Sequence, residues 1–598
     1  TCKTEGEIMS LVPWCGVIAC SGLSGSRVGD LVEIVPGPGA EKCGLGAVLS
    51  LEEKNVRIGL LGGAARKSSQ VRVLPQTYQE GAGLEALLAD ISGRCVDPLG
   101  AAWPIPDQAS GQEPLALRGV LSTVVRGWRS WGRKLSDHSA QGTSGVVWTG
   151  IGVIDSLAPL RRGGSLVLSG PSSAGKLELA ISLARAHQGC AEVGRKRRTL
   201  FVSLGQSEAG VARTSALLGL DDASSGTEKT TPGLTLLCAP TSMTKPASSV
   251  FLRALTPIVA LELGQWSAQE YGEDVLVVVE EMTSLVAATN DVQGALVRPL
   301  SKAPTEREPS PPPAAAAAAR RVCGSVLDRA GTFKSGGSLS VLVLAHSNDE
   351  DAESRAVTEA LDGLADAFLS LSPPRAIATR RKRPETIDEV KRQAAARKSE
   401  KGEIFGSAKS LQVDWPELLA RVAPPPAFAS GNAPGGLHMG LVVASGALRQ
   451  LLQSSSRDLE GLELAARVGI HLEEEDPARK AGIDRGVASR ELLVASSAAA
   501  AAANPCLATQ SLAAVLCALA ELDESFAEQG GVSSVLENEA PWKRVEAAFL
   551  EDPDMLASVE QEWVLSRPAV IADPVFAASL ASKQLINLAN KRTPAFAK

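Results

Sequence analysis

Gly170-Pro171-Ser172-Ser173-Ala174-Gly175-Lys176-Leu177 decides the reading of this chain. It completes the pattern G-x-x-x-x-G-K, with an apolar strand-like run before it, Ser165 to Ser169, and a helix-like run after it, Leu177 to Ala186. In such a loop, backbone N–H groups at a helix N-terminus cradle phosphates and the lysine neutralises their charge. A Gly/Ser turn can carry the same letters by chance, but the strand and helix on either side set this one apart. The position after the lysine should be Ser or Thr, whose hydroxyl holds Mg²⁺. Here it is Leu177. The expectation is a nucleotide site built from Gly170, Pro171, Ser172, Ser173, Ala174, Gly175, Lys176 and Leu177, with a weakened hold on Mg²⁺.

Around this loop the chain divides into three parts. Its 598 residues suffice for three or four domains, and 44% hydrophobic content lets most of it bury a core. From about 12 to 85 short apolar runs alternate with Gly/Pro turns: Gly16–Cys20, Leu31–Val35, Gly46–Leu51 and Val56–Leu61. Regular short strands of this kind predict a small β-barrel. From about 145 to 372 apolar runs alternate with longer helical stretches, the runs being Ser165–Ser169, Thr199–Ser203, Leu234–Cys238, Val275–Val279 and Leu339–Ala345. That alternation predicts a parallel sheet covered by helices. The last part, 436–598, reads as helical. The expected architecture is therefore multidomain: an N-terminal β-barrel over 1–92, a central α/β domain over 93–435, and a C-terminal α-helical bundle over 436–598.

Two segments read as insertions in the central domain, at about 302–321 and 373–428. The first holds Pro311-Pro312-Pro313 and an alanine run, 314–319, of a kind that can be helical. The second includes Arg375–Lys401, with ten Lys/Arg against four acidic residues. This is a solvated surface segment or a contact for an acidic protein, a lipid or RNA. A second alanine run, 498–503, ends at Asn504-Pro505 and closes a helix.

Composition excludes some classes. The formal net charge of −7 argues against a general nucleic-acid-coating role. The ten Cys form no C-x-x-C pair and the five His are far apart, which argues against a structural zinc site and for free thiols in a reducing compartment. No apolar run reaches about 18 residues, so no membrane-spanning helix is expected. The chain begins at Thr1 rather than Met, which leaves a targeting peptide open.

The approach to the loop, Thr149-Gly150-Ile151-Gly152-Val153-Ile154-Asp155-Ser156-Leu157-Ala158-Pro159-Leu160-Arg161-Arg162-Gly163-Gly164, resembles the T-G-I-x-x-I-D-x-L-x-P-x-x-x-G segment of rotary ATPases. Gly93-Arg94-Cys95-Val96-Asp97-Pro98-Leu99-Gly100 is similar to the G-R-V-V-D-x-L-G segment that joins their barrel to the nucleotide domain. Within that family, Phe201-Val202-Ser203-Leu204-Gly205-Gln206 resembles the A-I-G-Q motif of the non-catalytic α subunit of F-type ATP synthase. The catalytic β subunit carries Glu in place of that Gln, and an amide cannot act as the base. Leu276-Val277-Val278-Val279-Glu280-Glu281 resembles the α-subunit L-I-I-Y-D-D, an acidic tip on a buried strand that positions Mg²⁺ through water. The barrel runs Gly16–Leu23, Val28–Ile34 and Gly46–Glu52 continue the likeness, and Glu546-Ala547-Ala548-Phe549-Leu550 echoes the helical domain. Gln206 and Glu280 also have plainer readings, as a surface amide and a solvated strand end.

The resemblance implies a RecA-like nucleotide-binding domain that takes ATP or ADP, with Gln206 beside the nucleotide and Glu280 facing a metal through water. It implies β-type ATP synthase subunits as partners in an alternating ring, a central-stalk subunit within it, and service in proton-driven ATP synthesis. It also implies a place peripheral to the mitochondrial inner membrane, matrix side, or the plastid thylakoid. No catalytic residue and no nucleic-acid partner are expected. The α subunit ends a strand with S-V-S-R, whose Arg reaches the neighbouring catalytic site. The best match here, Gly440-Leu441-Val442-Val443-Ala444-Ser445-Gly446, puts Ser445 in that place, with Arg449 close by. Two rival readings stand beside this one: a pseudo-ATPase acting as an assembly or regulatory scaffold, and a related hexameric secretion or RNA-translocating ATPase. Gln206, Leu177 and Ser445 each remove a different catalytic part from the last.

Overall fold

The structure, a computed structural model, describes residues 5–74 and 88–100 with short gaps, positions 147 and 154, residues 160–297 and 312–371 with short gaps, and 422–423. The helical bundle expected over 436–598, the basic run 375–401, the alanine run 498–503, Ser445, Arg449 and most of the 149–164 approach lie outside the described residues.

The N-terminal part is a closed antiparallel barrel. Its strands are β1 (Glu5–Val12), β2 (Val17–Ser21), β3 (Leu31–Val35), β4 (Gly44–Leu51), β5 (Val56–Gly62) and β6 (Gln70–Val73), in the order β1-β2-β5-β4-β3-β6. The pairing of Glu5 with Arg72 and Glu7 with Gln70 closes it. Closure leaves no edge strand exposed. Ile8, Ile18, Val32, Ile34, Val48, Ile58 and Val71 fill the interior.

The second part is an open sheet. It comprises β7 (Cys95–Val96), β8 (Ser165–Gly170), β9 (Arg197–Leu204), β10 (Leu234–Ala239), β11 (Asp274–Val279), β12 (Gly331–Thr332), β13 (Ser338–His346), β14 (Ala367–Leu371) and β15 (Val422–Ala423). The order is β15-β14-β8-β13-β11-β9-β10-β7, with β12 beside β13. From β14 to β7 all neighbours are parallel. The helices are α1 (Lys176–Gly189), α2 (Glu208–Leu218), α3 (Pro246–Tyr271), α4 (Met282–Val297), α5 (Pro312–Leu327) and α6 (Ala352–Asp362). β8, β10 and β11 are buried along their whole length, which explains why their sequences read as unbroken apolar runs.

Strand alternation splits the core in two. Val167, Val202, Val277 and Val343 point to the face covered by α3, α4, α5 and α6. Leu168, Phe201, Val278 and Leu344 point to the face covered by α1 and α2. The first core runs on into the barrel. Phe251 of α3 is fully buried there, and a Cβ at Gly59 of β5 would lie 2.6 Å from its ring. The buried Arg57 of β5 pairs with Glu52 at 2.5 Å and donates to the Ala295 carbonyl near the end of α4.

The alanine run of 314–319 lies in α5. Ala315, Ala319, Val322, Cys323 and Val326 are buried on one face of that helix, so residues 312–321 of the segment read as an insertion are built into the domain. Among the described residues, no helix is long and apolar enough to cross a membrane.

Candidate functional site

Four parallel strands end side by side at one edge of the sheet, and the residues singled out in the sequence lie just beyond them. Loops after parallel strands are where ligands bind in open α/β sheets. β8 ends at Gly170, and Pro171 to Gly175 turn the chain into α1, which Lys176 begins. Ser173 lies outside the described residues. Gly175 has φ +85°, a conformation that side chains disfavour, and the Ala174 N–H bonds to the Pro171 carbonyl at 3.1 Å. Ala174 is fully buried.

The Lys176 ammonium is folded back onto the loop. Nζ donates to the Gly170 and Pro171 carbonyls, the latter at 2.7 Å. Burial pushes its pKa below the ordinary lysine value, against the opposing pull of Glu281 and Glu178. The charge is thus held by carbonyl oxygens with carboxylates at longer range. An anion arriving at the loop would exchange weak partners for a strong one.

Leu177 packs half-buried against the core formed by Leu166, Leu168 and Leu179. The apolar side chain fills space at the root of α1 and presents no oxygen to a metal.

β9 ends at Leu204, and Gly205 makes the turn with φ +67°. Gln206 then sits just ahead of Ser207, which caps α2 through a bond from the Gly210 N–H at 3.2 Å. β11 ends at Val279 and delivers Glu280 beside Gln206. The Gln206 amide donates to Glu280 Oε1. Glu280 is buried, and its Oε2 and the neighbouring Ser203 Oγ have no hydrogen-bond partner among the described residues. Burial raises the Glu280 pKa to about 7. The nearby Ser203 hydroxyl, short of hydrogen-bond geometry, and the Gln206 amide oppose that rise, while Glu281 and Glu178 add to it. Glu281 itself adopts φ 65°, an uncommon conformation for a residue with a side chain.

The structure therefore brings Gln206 and Glu280 into direct contact and sets Lys176 within electrostatic reach of Glu281 and Glu178. Magnesium takes six oxygen ligands in near-ideal octahedral geometry. The residues here do not fit it as an inner-sphere ion: Leu177 offers nothing, one Glu280 oxygen is engaged by Gln206, and burial favours the protonated acid. Glu280 Oε2, which has no hydrogen-bond partner among the described residues, is left for water-mediated contact.

The raised carboxyl has a measurable consequence. Between about pH 4.5 and 7 the folded chain holds a proton on Glu280 that the unfolded chain releases, so stability falls as pH rises through that window. Glu280→Gln removes this penalty. The variant is expected to be more stable than the parent at pH 8, by as much as about 3 kcal/mol, and no different at pH 4. Denaturant unfolding at the two pH values checks this, and an equal change at both would exclude a buried, raised carboxyl.

Sequence reasoning passed over one residue of this edge. His346 is the last residue of β13 and pairs in register with Gly170. The next N–H, of Ser347, donates to the Gly170 carbonyl at 3.0 Å. The His346 Nδ1 lies 3.3 Å from Ser172 Oγ. A polar residue closing the apolar run Leu339–Ala345 was the available signal. Its proximity to the loop depends on the pairing of strands more than 160 residues apart.

Residues 150–389 match the family model described as the ATP synthase alpha/beta family, nucleotide-binding domain. The chain is similar to ATP synthase subunit alpha of Acholeplasma laidlawii, 25% identical over 355 residues, covering 58% of this chain and 60% of that protein. It is similar to the same subunit of Dehalococcoides mccartyi, 26% identical over 364 residues, covering 60% and 62%. The subunit from Mycoplasma pneumoniae is 25% identical over 296 residues, covering 49% of each chain. The chain thus spans about 60% of the length of the first two relatives. Together with the loop geometry and the barrel that precedes it, these likenesses support placing residues 150–389 with the nucleotide-binding domains of the ATP synthase alpha/beta family.

Proposed function

We propose that this chain is a divergent, non-catalytic α-type subunit of an F-type, proton-transporting ATP synthase, which binds ATP or ADP and assembles in a ring with β-type subunits around a central stalk. The observation that carries this reading is the Gln206–Glu280 hydrogen bond beside the phosphate loop. The end of β9, where the catalytic relative carries Glu, holds an amide. An amide orients but accepts no proton from water at neutral pH. That amide also engages the acid at the end of β11.

In this reading the loop N–H groups and Lys176 hold the phosphates. Lys176 leaves the Gly170 and Pro171 carbonyls to meet the β and γ phosphates, and Gln206 keeps Glu280 aligned. A bound divalent ion would supply counter-charge to the phosphates; Leu177 withholds the hydroxyl that would anchor it. The chain would then work as a peripheral component at an energy-transducing membrane, the mitochondrial inner membrane or the thylakoid by family resemblance.

Two measurements test the reading. Co-purification with a β-type subunit, without hydrolysis by the isolated chain, is the expected result. Basal hydrolysis by the isolated chain would restore the motor reading, and nucleotide binding without a β-type partner would favour the scaffold. At the site itself, Leu177→Thr is expected to strengthen nucleotide binding in Mg²⁺ relative to EDTA, by about tenfold for one regained ligand hydroxyl. Unchanged Mg²⁺ dependence of nucleotide affinity would count against the site.

A further inference from the structure

Leu177 and His346 change the charge balance of the same loop in opposite directions. Leu177 removes a metal ligand and is committed to core packing. His346 brings an imidazole to the loop mouth, opposite Gly170 in the β13–β8 register and 3.3 Å from Ser172 Oγ. Ser172 is exposed and His346 is half-buried, so the imidazole is reachable from the side on which phosphates would enter. An imidazolium donates hydrogen bonds to phosphate oxygens, and such charge-assisted bonds are among the stronger ones in proteins.

We infer that His346 is a phosphate ligand of this site, and that nucleotide binds here free of metal, with protonation of His346 supplying part of the counter-charge that Mg²⁺ supplies in related loops. The inference rests on the nucleotide-binding reading above and adds to it a residue and a mode of regulation: affinity follows pH in place of Mg²⁺.

Among the described residues, the charged groups at this edge are Lys176 and Glu178 at the start of α1, Glu280 and Glu281 beyond β11, and Asp351 and Glu353 at the start of α6. Asp351 caps α6 and is held below the ordinary carboxylate range, first by its bond from Ser354 and in smaller part by His346. Glu280, raised to about 7 by burial, adds negative charge between pH 6 and 8, so it must be separated from His346 by mutation.

The test is a titration of the full chain with a fluorescent ATP analogue at pH 6 and pH 8, each with Mg²⁺ and with EDTA. The expected result is binding about tenfold tighter at pH 6, the same in EDTA as in Mg²⁺. The pH dependence of the nucleotide's own phosphates is common to every variant, so the comparison lies between them. His346→Ala is expected to lose most of the excess affinity at pH 6. His346→Lys, which keeps a positive charge without titrating in this range, is expected to bind tightly at both pH values. Glu280→Gln is expected to retain the dependence. Thermal melts of each variant report folding. A pH dependence that survives His346→Ala and disappears in Glu280→Gln overturns the inference, as does strict dependence on Mg²⁺; both leave the nucleotide-binding reading standing. No binding by the parent at either pH overturns both together.

Discussion

Lys176→Ala is expected to lower affinity for ATP and ADP at least about a hundredfold and to leave thermal stability unchanged or slightly raised. The two halves of this expectation have one cause. The ammonium is buried, its pKa is depressed by that burial, and its contacts are loop carbonyls at the root of α1. A buried charge without a close counter-ion contributes little to folding and can cost stability. Toward a phosphate the same group forms charge-assisted bonds, each worth roughly 1.5–3 kcal/mol, and 3 kcal/mol is about a hundredfold in affinity. Equilibrium titration with a fluorescent nucleotide beside a thermal melt reads both. Undiminished affinity would show that the loop does not hold the phosphates, and a large fall in melting temperature would show that the lysine serves the fold.

Phe251→Ala is expected to destabilise the chain by about 3–5 kcal/mol, the usual range for deleting a fully buried ring. The ring sits where β5 of the barrel meets α3 of the sheet domain, and Gly59 is the socket that admits it. The loss should therefore fall on both domains. Denaturant unfolding followed by probes in the barrel and in the sheet would show the two transitions moving together. If the barrel signal stays in place while the sheet signal shifts, the junction is not held by this contact. Gly59→Ala approaches the same point from the other side, since its Cβ would lie 2.6 to 2.9 Å from three ring atoms.

How much of this was legible in the sequence differs by element, for physical reasons. β2, β3, β4 and β5 showed themselves because Gly and Pro punctuate runs that are nearly all buried. β1 and β6 did not. β1 exposes alternate positions at Glu5, Glu7 and Met9, and β6 is four residues long with Gln70 exposed and Arg72 outward, so neither forms an apolar run. In the sheet, β8, β9, β10, β11 and β13 were visible as continuous apolar segments to within two residues at each end. Their order was not, because β8 lies between β13 and β14 through pairings that no local signal specifies. The loop was readable from eight consecutive letters. The Gln206–Glu280 contact joins residues 74 apart, and Ser172–His346 joins residues 174 apart. For the first, a family likeness pointed to the pair; for the second, only the fold does.

The alanine tract in α5 has a consequence for how the sequence can vary. Here the tract leads into Val322, Cys323 and Val326, which share a buried face with Ala315 and Ala319 at helical spacing. Each added alanine advances everything after it by about 100° around the axis. With residues 320–327 held by their buried face, the turn falls on the N-terminal side instead: one extra unit still leaves alanine at the buried places of Ala315 and Ala319 and moves Pro312 and Pro313 back by one position. The tract therefore acts as a slip joint: the buried face after it fixes the helix, and identical units let the length before it change without a misfit.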